Sequence, residues 1–402
     1  MSEAQAIVRL AGRGDGVTAD GRFVNGATIG DMVTFDGNVA TVTPGPRHVV
    51  PPCRHVPDCG GCQLQHVNGA DYDAFVIDRI VRPLAALGIV ADTVHPVAVS
   101  PPHSRRRASL RAVRRQGRLT LGFNAEGSHR IVDIEQCEIL LPELQALLAP
   151  LRVLLKPVLG EGQGAGITLT ASDSGRDVLL ANVAADTLAQ IERLTDFAAT
   201  HDLARLSVEA AQGVETVAMP RPPQLTMGGV PVMLPPAPFL QATREGEAAL
   251  VAAVLAAVGP ARRAADLFCG LGTFALPLSK TMAVLAADAA GPAVTALAAA
   301  ARQFGRRVTV AHRDLFRRPF TAAELAGIDA VVFDPPRAGA QAQAAMLAQS
   351  KVPIVVGVSC NPNTFARDAD ILIKGGYRLE TIWPVAQFRW STHVELVAAF
   401  RR

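Results

Sequence analysis

The stretch AADLFCGLGTFALPLS, residues 264–279, decides the fold. It starts as a short apolar run, turns at Gly270 and Gly272, and continues as a helix-forming segment. Glycines let the backbone come close to a ligand at the carboxyl end of a strand, where open α/β sheets bind cofactors. The turn CGLGTF departs from G-x-G-x-x-G, so the cradle for a pyrophosphate is incomplete. The stretch predicts a Rossmann-like domain with a cofactor site.

Acidic residues follow on the next two predicted strands. Asp288 ends MAVLAAD, about 20 residues past the glycines, where a carboxylate can accept both hydroxyls of a ribose. The glycines and Asp288 alone do not separate a nicotinamide dinucleotide from S-adenosylmethionine. Asp314 in HRDLF then falls at the end of a further strand, well placed for an adenine amino group. A glycine turn, an acid and a second acid form the order typical of methyltransferases.

Two later strands point to the methyl acceptor. IDAVVFDPPRAGA places Asp334 at a strand end. Methyltransferases that act on amino groups follow a similar sequence with an aromatic residue, whereas Arg337 follows here, which argues against nitrogen as the acceptor. VPIVVGVSCNPNTFARD places Cys360 just beyond an apolar run. A lone cysteine is usually a small core residue, but one at the ligand end of a strand predicts a nucleophile.

A cysteine cluster lies much earlier, in CRHVPDCGGCQLQH, residues 53–66. Three of the six cysteines in 402 residues occur within these positions. The chain is too poor in cysteine for a secreted disulfide framework. The spacing predicts thiolates that converge on a metal, with a fourth ligand elsewhere.

Charge is concentrated in SRRRASLRAVRRQGR, residues 104–118, which holds seven arginines and no acid. Interspersed apolar residues and the following LTLGF predict a β-hairpin. The guanidinium fork matches phosphate oxygens, so this pattern favours nucleic-acid contact over an ordinary solvated face.

The chain as a whole is predicted to have three regions. Turn signals between short β-prone runs predict a small β-barrel over residues 1–50. Residues 51–235 are predicted to form a mixed α+β domain, which begins with the cysteine cluster and a helix over 71–89 and continues as mixed strands and helices. A proline-rich passage, residues 219–239, marks a boundary, and residues 236–402 alternate between helix and strand, which predicts an α/β domain. The longest apolar run is 11 residues, too short to cross a bilayer. Without a secretion signal, we expect a cytoplasmic monomer with no membrane contact.

LFCGLGTF, DPPRAG, VSCNPNTFARD and WSTHVEL together resemble the RNA uracil-carbon-5 methyltransferase family, which makes 5-methyluridine with S-adenosylmethionine. The likeness runs from about residue 5 to the C-terminus. It implies a class I methyltransferase domain and an RNA-binding TRAM (OB-like) barrel over residues 1–50. CRHVPDCGGCQLQH with Cys137 resembles the iron–sulfur branch of the family, typical of 23S ribosomal RNA enzymes.

The resemblance assigns roles to individual residues. The nucleophile is Cys360, and Glu395 is the general base, with His393 the less favoured candidate. The [4Fe–4S] ligands are Cys53, Cys59, Cys62 and Cys137. Candidates for the cofactor and base pocket are Gln241, Phe268, Gly270, Gly272, Thr273, Asp288, Asp314 and Asp334. The arginine-rich segment, independently of the resemblance, provides Arg105, Arg107 and Arg111 as candidates for RNA binding.

The cysteine spacing bears on the type of metal site. A zinc ribbon needs two C-x-x-C pairs, and only Cys59 and Cys62 form one. A radical enzyme needs C-x3-C-x2-C and an open iron, whereas four thiolates would leave no open position. A fully ligated cubane with a structural and RNA-positioning role is therefore favoured.

The chain departs from the family at several positions. Ala242 and Thr243 follow Gln241 where Val-Asn is usual, Thr273 replaces asparagine, Asp288 replaces glutamate, and FRWSTHVE replaces Phe-Pro-x-Thr-x-His-Val-Glu. These departures concern affinity and the RNA target more than the reaction. We predict methylation of a uridine in 23S rRNA. The alternatives are the same reaction on tRNA, methylation of an RNA amino group, and a non-catalytic RNA-binding assembly factor.

Overall fold

A computed structural model describes residues 4–402. The N-terminal part is a five-stranded antiparallel sheet in the order β3-β2-β1-β4-β5 around a small core that includes Ile7, Val24 and Val33. Short strands and glycine turns build it, as the sequence predicts. Its strands are β1 (Gln5–Leu10), β2 (Gly16–Thr18), β3 (Phe23–Val24), β4 (Met32–Asp36) and β5 (Val39–Thr43).

A seven-stranded sheet in the order β10-β9-β8-β11-β12-β13-β14 forms the middle of the molecule. The arginine-rich stretch forms its β8–β9 hairpin, which confirms that prediction. Gln116 and Gly117 both have positive φ in the two-residue turn, as tight hairpins require. The elements are β8 (Arg107–Arg115), β9 (Arg118–Asn124), β10 (Ile131–Asp133), α2 (Pro142–Gln145), α3 (Leu148–Val158), β11 (Gly164–Ser172), β12 (Gly175–Ala181), α4 (Leu188–Thr200), β13 (Leu203–Ala210) and β14 (Gly213–Ala218).

The C-terminal part is a nine-stranded sheet with helices on both faces. β19, β18, β17, β20 and β21 are parallel neighbours, and β23 then pairs antiparallel with both β21 and β22. The proline-rich passage before it forms the hairpin of β15 (Gln224–Met227) and β16 (Val230–Met233). The other elements are α5 (Arg244–Val258), β17 (Arg263–Leu267), α6 (Ala275–Leu278), β18 (Ala283–Asp288), α7 (Gly291–Gln303), β19 (Val308–His312), β20 (Ala330–Phe333), α8 (Gln341–Gln349), β21 (Ile354–Ser359), α9 (Pro362–Lys374), β22 (Arg378–Ala386) and β23 (Glu395–Arg401).

A segment before the arginine hairpin also joins this C-terminal sheet. Helix α1 (Gly69–Ala85) packs against α9, and strands β6 (Thr93–Val94) and β7 (Ala98–Val99) pair in parallel with β22. The segment lies within the range predicted for the central domain, yet its apolar residues belong to the C-terminal core. Of the helices within residues 4–402, none has the length and apolarity to cross a membrane.

Candidate active site

The glycine turn after β17 has a backbone conformation that favours glycine. Gly270 and Gly272 have φ values of 51° and 95°, which side chains with a Cβ rarely adopt. A Cβ at Gly272 would lie 2.5 Å from Leu297 Cδ1, so the turn packs directly on α7. The backbone of this glycine turn, rather than side chains, therefore forms one side of the predicted cofactor site.

Asp288 ties the end of β18 to the same turn. Its Oδ2 accepts the Gly270 N–H at 2.9 Å, and its Oδ1 accepts the Ala290 N–H at 2.7 Å. Each carboxylate oxygen has a further lone pair. The two oxygens therefore remain able to accept ribose hydroxyls, and that contact stays a prediction.

Asp314 lies two residues beyond β19, where its Oδ1 accepts the N–H groups of Phe316 at 2.9 Å and Arg317 at 3.2 Å. Phe316 is 49% exposed, and its ring centre lies 5.5 Å from that of Phe268. Thr273 is half-buried in the glycine turn. These side chains surround the carboxyl edge of the sheet, but the predicted adenine contact of Asp314 stays a prediction.

Strand pairing brings the two predicted catalytic residues together. In the antiparallel pair of β21 and β23, Ser359 lies opposite Leu396. Cys360 and Glu395 are the next residues of the two segments beyond this last pair. The charge of Glu395 acts on the Cys360 thiol, as expected of side chains that lie close together. A thiol and a carboxyl group that are 35 residues apart in the chain are therefore neighbours.

The polar turn after Cys360 also fixes the Asp-Pro-Pro segment. Asn361 Nδ2 donates to the Arg337 carbonyl at 2.9 Å, and the Thr364 hydroxyl donates to the same oxygen at 3.2 Å. The Asn361 side chain also accepts the Asn363 N–H at the start of α9. These bonds hold Arg337 beside the predicted catalytic residues, and its charge acts on both Cys360 and Glu395.

Burial and mutual repulsion favour the protonated forms of the acids in this site. Burial, and then the charge of Asp334, raise the pKa of Glu395 to about 8, although hydrogen bonding to Gln387 and the charge of Arg337 lower it. Desolvation and the charge of Asp288 raise the pKa of Asp334 to about 7. Carboxyl groups gathered in this way favour a bound cation.

The Cys360 thiol has the same surroundings. Burial, followed by the charges of Glu395 and Asp334, raises its pKa to about 11, while Arg337 lowers it. A thiol is a weak nucleophile until it loses its proton. A positive charge placed between the thiol and the carboxyl groups would favour that loss.

Gln241 and Gln387 lie between Asp334 and Glu395. Gln241 is buried, with its Nε2 3.5 Å from Asp334 Oδ2. Gln387, which we did not predict, donates to Glu395 Oε1 at 3.0 Å. A glutamine in the loop before WSTHVEL carries no signal in one sequence, because its partner is decided by the loop's path.

Comparisons with known proteins show which family the chain belongs to. The family model described as tRNA (Uracil-5-)-methyltransferase matches residues 250–401. An RNA methyltransferase of Zymomonas mobilis is 44% identical over 98% of this chain and 99% of its own length. The 23S rRNA (uracil(1939)-C(5))-methyltransferase RlmD of Pectobacterium atrosepticum is 32% identical over 89% of this chain and 81% of its own length. The chain belongs to the RNA uracil-5-methyltransferase family.

A solved structure supports the fold of this methyltransferase. The tRNA (uracil-54, C5)-methyltransferase of Pyrococcus abyssi, in complex with S-adenosyl-L-homocysteine, matches with a TM-score of 0.76 over 99% of both chains, at 23% identity. The family shows that the enzyme is an RNA (uracil-C5-)-methyltransferase, and its fold is that of an S-adenosylmethionine-dependent methyltransferase.

The four predicted cluster cysteines line one cavity of about 350 Å³, which also reaches Arg337 of the catalytic domain. Burial, together with the neighbouring thiols, raises the pKa of Cys62 to about 12, and burial raises the pKa of Cys59 and Cys137. Within residues 4–402 no group of three or more His, Cys, Asp or Glu side chains is placed to hold a metal ion. In a cubane each thiolate binds a different iron, so its ligands lie further apart than those of one ion. Four thiols around one cavity, of which Cys137 is buried and the others are half-buried, suit that donor set.

The seven arginines of residues 104–118 do not all lie on one exposed face of the methyltransferase. Alternation along β8 leaves Arg111 exposed and Arg107 half-buried on the side opposite the core. Arg106 is instead buried in an ion pair with Glu247, and Arg118 lies 3.6 Å from Asp133. The segment contains no acid of its own, but acids from other segments compensate the charges of Arg106 and Arg118.

Arg105 lies against the catalytic domain. Its Nε donates to the Arg107 carbonyl at 2.9 Å, and its guanidinium lies 5.4 Å from the centre of the Phe388 ring. Both arginines line the cysteine cavity. A contact with RNA remains a prediction for Arg105, Arg107 and Arg111.

Proposed function

We propose that the methyltransferase acts through a covalent bond between Cys360 and carbon 6 of the target uracil. Carbon 5 is too weak a nucleophile to take a methyl group unaided. Addition of the Cys360 thiolate to carbon 6 makes the ring an enolate with electron density on carbon 5. Bound S-adenosylmethionine supplies the electrophilic methyl group.

Glu395 completes the proposed reaction as general base. After methylation, carbon 5 still carries its proton, which must leave before the thiolate can be expelled. Glu395 takes this proton, the electrons of the C–H bond restore the 5,6 double bond, and Cys360 departs as the thiolate. The observation that supports the proposal is the pairing of β21 with β23, which ends at Ser359 and Leu396 and so brings the next residues, Cys360 and Glu395, close together.

Two variants test the mechanism because they predict opposite phenotypes. Cys360→Ala should bind RNA and cofactor without attaching to the RNA. Glu395→Gln should add the thiol and transfer the methyl group, then stall as a protein–RNA adduct on a denaturing gel. Methylation by Cys360→Ala would rule out the covalent mechanism.

We further propose that Cys53, Cys59, Cys62 and Cys137 hold a [4Fe–4S] cluster. A bound cluster would neutralise buried thiolates and cross-link residues 53–62 to the loop that holds Cys137. The cluster takes no part in the steps above. Its role would be to hold the arginine hairpin and the catalytic domain in one arrangement for RNA.

The RNA that we favour is 23S rRNA. The relative RlmD of Pectobacterium atrosepticum, which is 32% identical, is a 23S rRNA methyltransferase. The family model and the Pyrococcus abyssi enzyme name tRNA, which keeps tRNA as the second candidate. Mapping 5-methyluridine by mass spectrometry in cellular rRNA and tRNA, with and without this protein, decides between them.

A further inference from the structure

Gln387 occupies the junction between the general base and the cofactor pocket. It follows β22 directly, it is 3% exposed, and its amide makes three hydrogen bonds. Its Oε1 accepts the Ala242 N–H at 2.8 Å, and its Nε2 donates to Gln241 Oε1 at 2.7 Å and to Glu395 Oε1 at 3.0 Å.

The backbone decides which way this amide points. A backbone N–H can only donate, so the group facing Ala242 must be the carbonyl oxygen of Gln387. The amide nitrogen then faces Gln241 and Glu395 and uses both of its hydrogens. In a flipped amide, the Gln387 NH2 group would face the Ala242 N–H, donor against donor, and the Gln387 oxygen would face Glu395 Oε1, acceptor against acceptor.

Neighbouring segments hold both sides of the junction. Arg106 donates from its Nε to the Gln241 carbonyl at 3.0 Å and from its backbone N–H to the Ala242 carbonyl at 2.9 Å. On the other side, a Cβ added at Gly246 would lie 2.6 Å from Gln387 Cβ. Gly246 therefore packs closely against the Gln387 side chain, and the three hydrogen bonds hold the amide in its orientation.

We infer that Gln387 is a positioning residue for the methyltransferase reaction, which holds Glu395 by one carboxylate oxygen and couples it to Gln241 and Asp334 across the pocket. This inference rests on the proposed role of Glu395. Within residues 4–402, Gln387 is the one hydrogen-bond donor to the Glu395 side chain. Oε2 is left to receive the proton from carbon 5.

The hydrogen bond from Gln387 to Glu395 predicts how the rate of adduct resolution depends on pH. The charged groups facing Glu395 are Asp334, Arg337 and the Cys360 thiol, and the ionised carboxylate is the form that Gln387 stabilises. Removing the donor raises the pKa of Glu395 further, so less of the base is ionised at neutral pH. Adduct resolution should then need a higher pH. A hydrogen bond to a charged group corresponds to a shift of about one pH unit or more, and to resolution roughly tenfold slower at pH 7.

Gln387→Met keeps the approximate size of the side chain and removes both donor and acceptor. The matched control is Gln343→Met, because Gln343 is 1% exposed and bonds to the Phe320 backbone with both amide atoms. With a uridine RNA, Gln387→Met should accumulate adduct and shift the pH–rate profile for resolution upward, while Gln343→Met matches the wild type. Gln387→Glu, which sets a second carboxyl group against Glu395, should shift the profile in the same direction.

RNA carrying 5-fluorouridine tests the covalent mechanism separately from the role of Gln387. The fluorine replaces the proton that Glu395 removes, so an adduct formed by Cys360 persists whatever happens to the base. Wild type and Gln387→Met should both trap this RNA. Failure of the wild type to trap it overturns the covalent mechanism. Trapping by both, with an unshifted profile for Gln387→Met and Gln387→Glu, overturns the role of Gln387 alone.

Discussion

Replacing Glu395 by glutamine should stabilise the folded protein while it removes the proposed base. Glu395 is 5% exposed, and burial first and Asp334 second raise its pKa from 4.5 to about 8. An acid whose pKa is higher in the folded state binds its proton more tightly there. The stability that it contributes is complete below pH 4.5 and is lost as the pH rises towards 8.

The size of the effect follows from the two pKa values of Glu395. A rise from 4.5 to about 8 corresponds to about 5 kcal/mol at 1.36 kcal/mol per unit, as a ceiling. Almost all of this cost is present at pH 8.5, and only about 1.4 kcal/mol at pH 5.5. Glutamine carries no charge at either pH. The variant should therefore exceed the wild type in free energy of unfolding by up to about 5 kcal/mol at pH 8.5, and by much less at pH 5.5.

Urea unfolding at both pH values, followed by circular dichroism, measures this difference. The exposed Glu192 of α4 offers a control, since Glu192→Gln should change the free energy of unfolding by less than about 0.5 kcal/mol at either pH. A Glu395→Gln variant that differs from the wild type equally at pH 5.5 and pH 8.5 refutes the reasoning, because it would mean that the buried carboxyl group has no raised pKa.

Three further results are expected. Anaerobically purified protein should be brown with about four irons per chain; Cys137→Ala should bleach it and Cys269→Ala should not, and stoichiometric zinc would contradict the cluster. Replacing Arg107 and Arg111 by glutamine should weaken RNA binding and reduce the salt slope by roughly one to two, with cofactor affinity unchanged; an unaltered slope would make them ordinary surface residues. Burial raises the pKa of Asp334 to about 7, so S-adenosylmethionine, which carries a sulfonium charge, should bind more tightly as the pH rises from 6 to 8. Calorimetry should show a smaller change for S-adenosylhomocysteine, a neutral thioether. Equal pH dependence of the two affinities would show that Asp334 does not face the sulfonium.

Local patterns were sufficient for much of this site. The glycine turn, Asp288 and Cys360 each follow a short apolar run that forms a buried strand, so their place at the carboxyl edge could be predicted from periodicity alone. The arginine hairpin could be predicted because its turn residues lie between two alternating strands. The predicted helix over residues 71–89 is present as α1 (Gly69–Ala85), shifted towards the N-terminus.

Pairing between distant segments could not be predicted from local sequence patterns. The sequence by itself determined the residue types and strand ends of the site, because each depends on neighbours within a few positions. The tertiary structure decided that β23 lies between β21 and β22, which brings Cys360 and Glu395 close together, and that Gln387 reaches both Glu395 and Gln241. It also decided that Arg106 is neutralised by Glu247, 141 residues away. Strand order and buried charge pairing depend on contacts between distant segments, and one sequence carries no local signal for them.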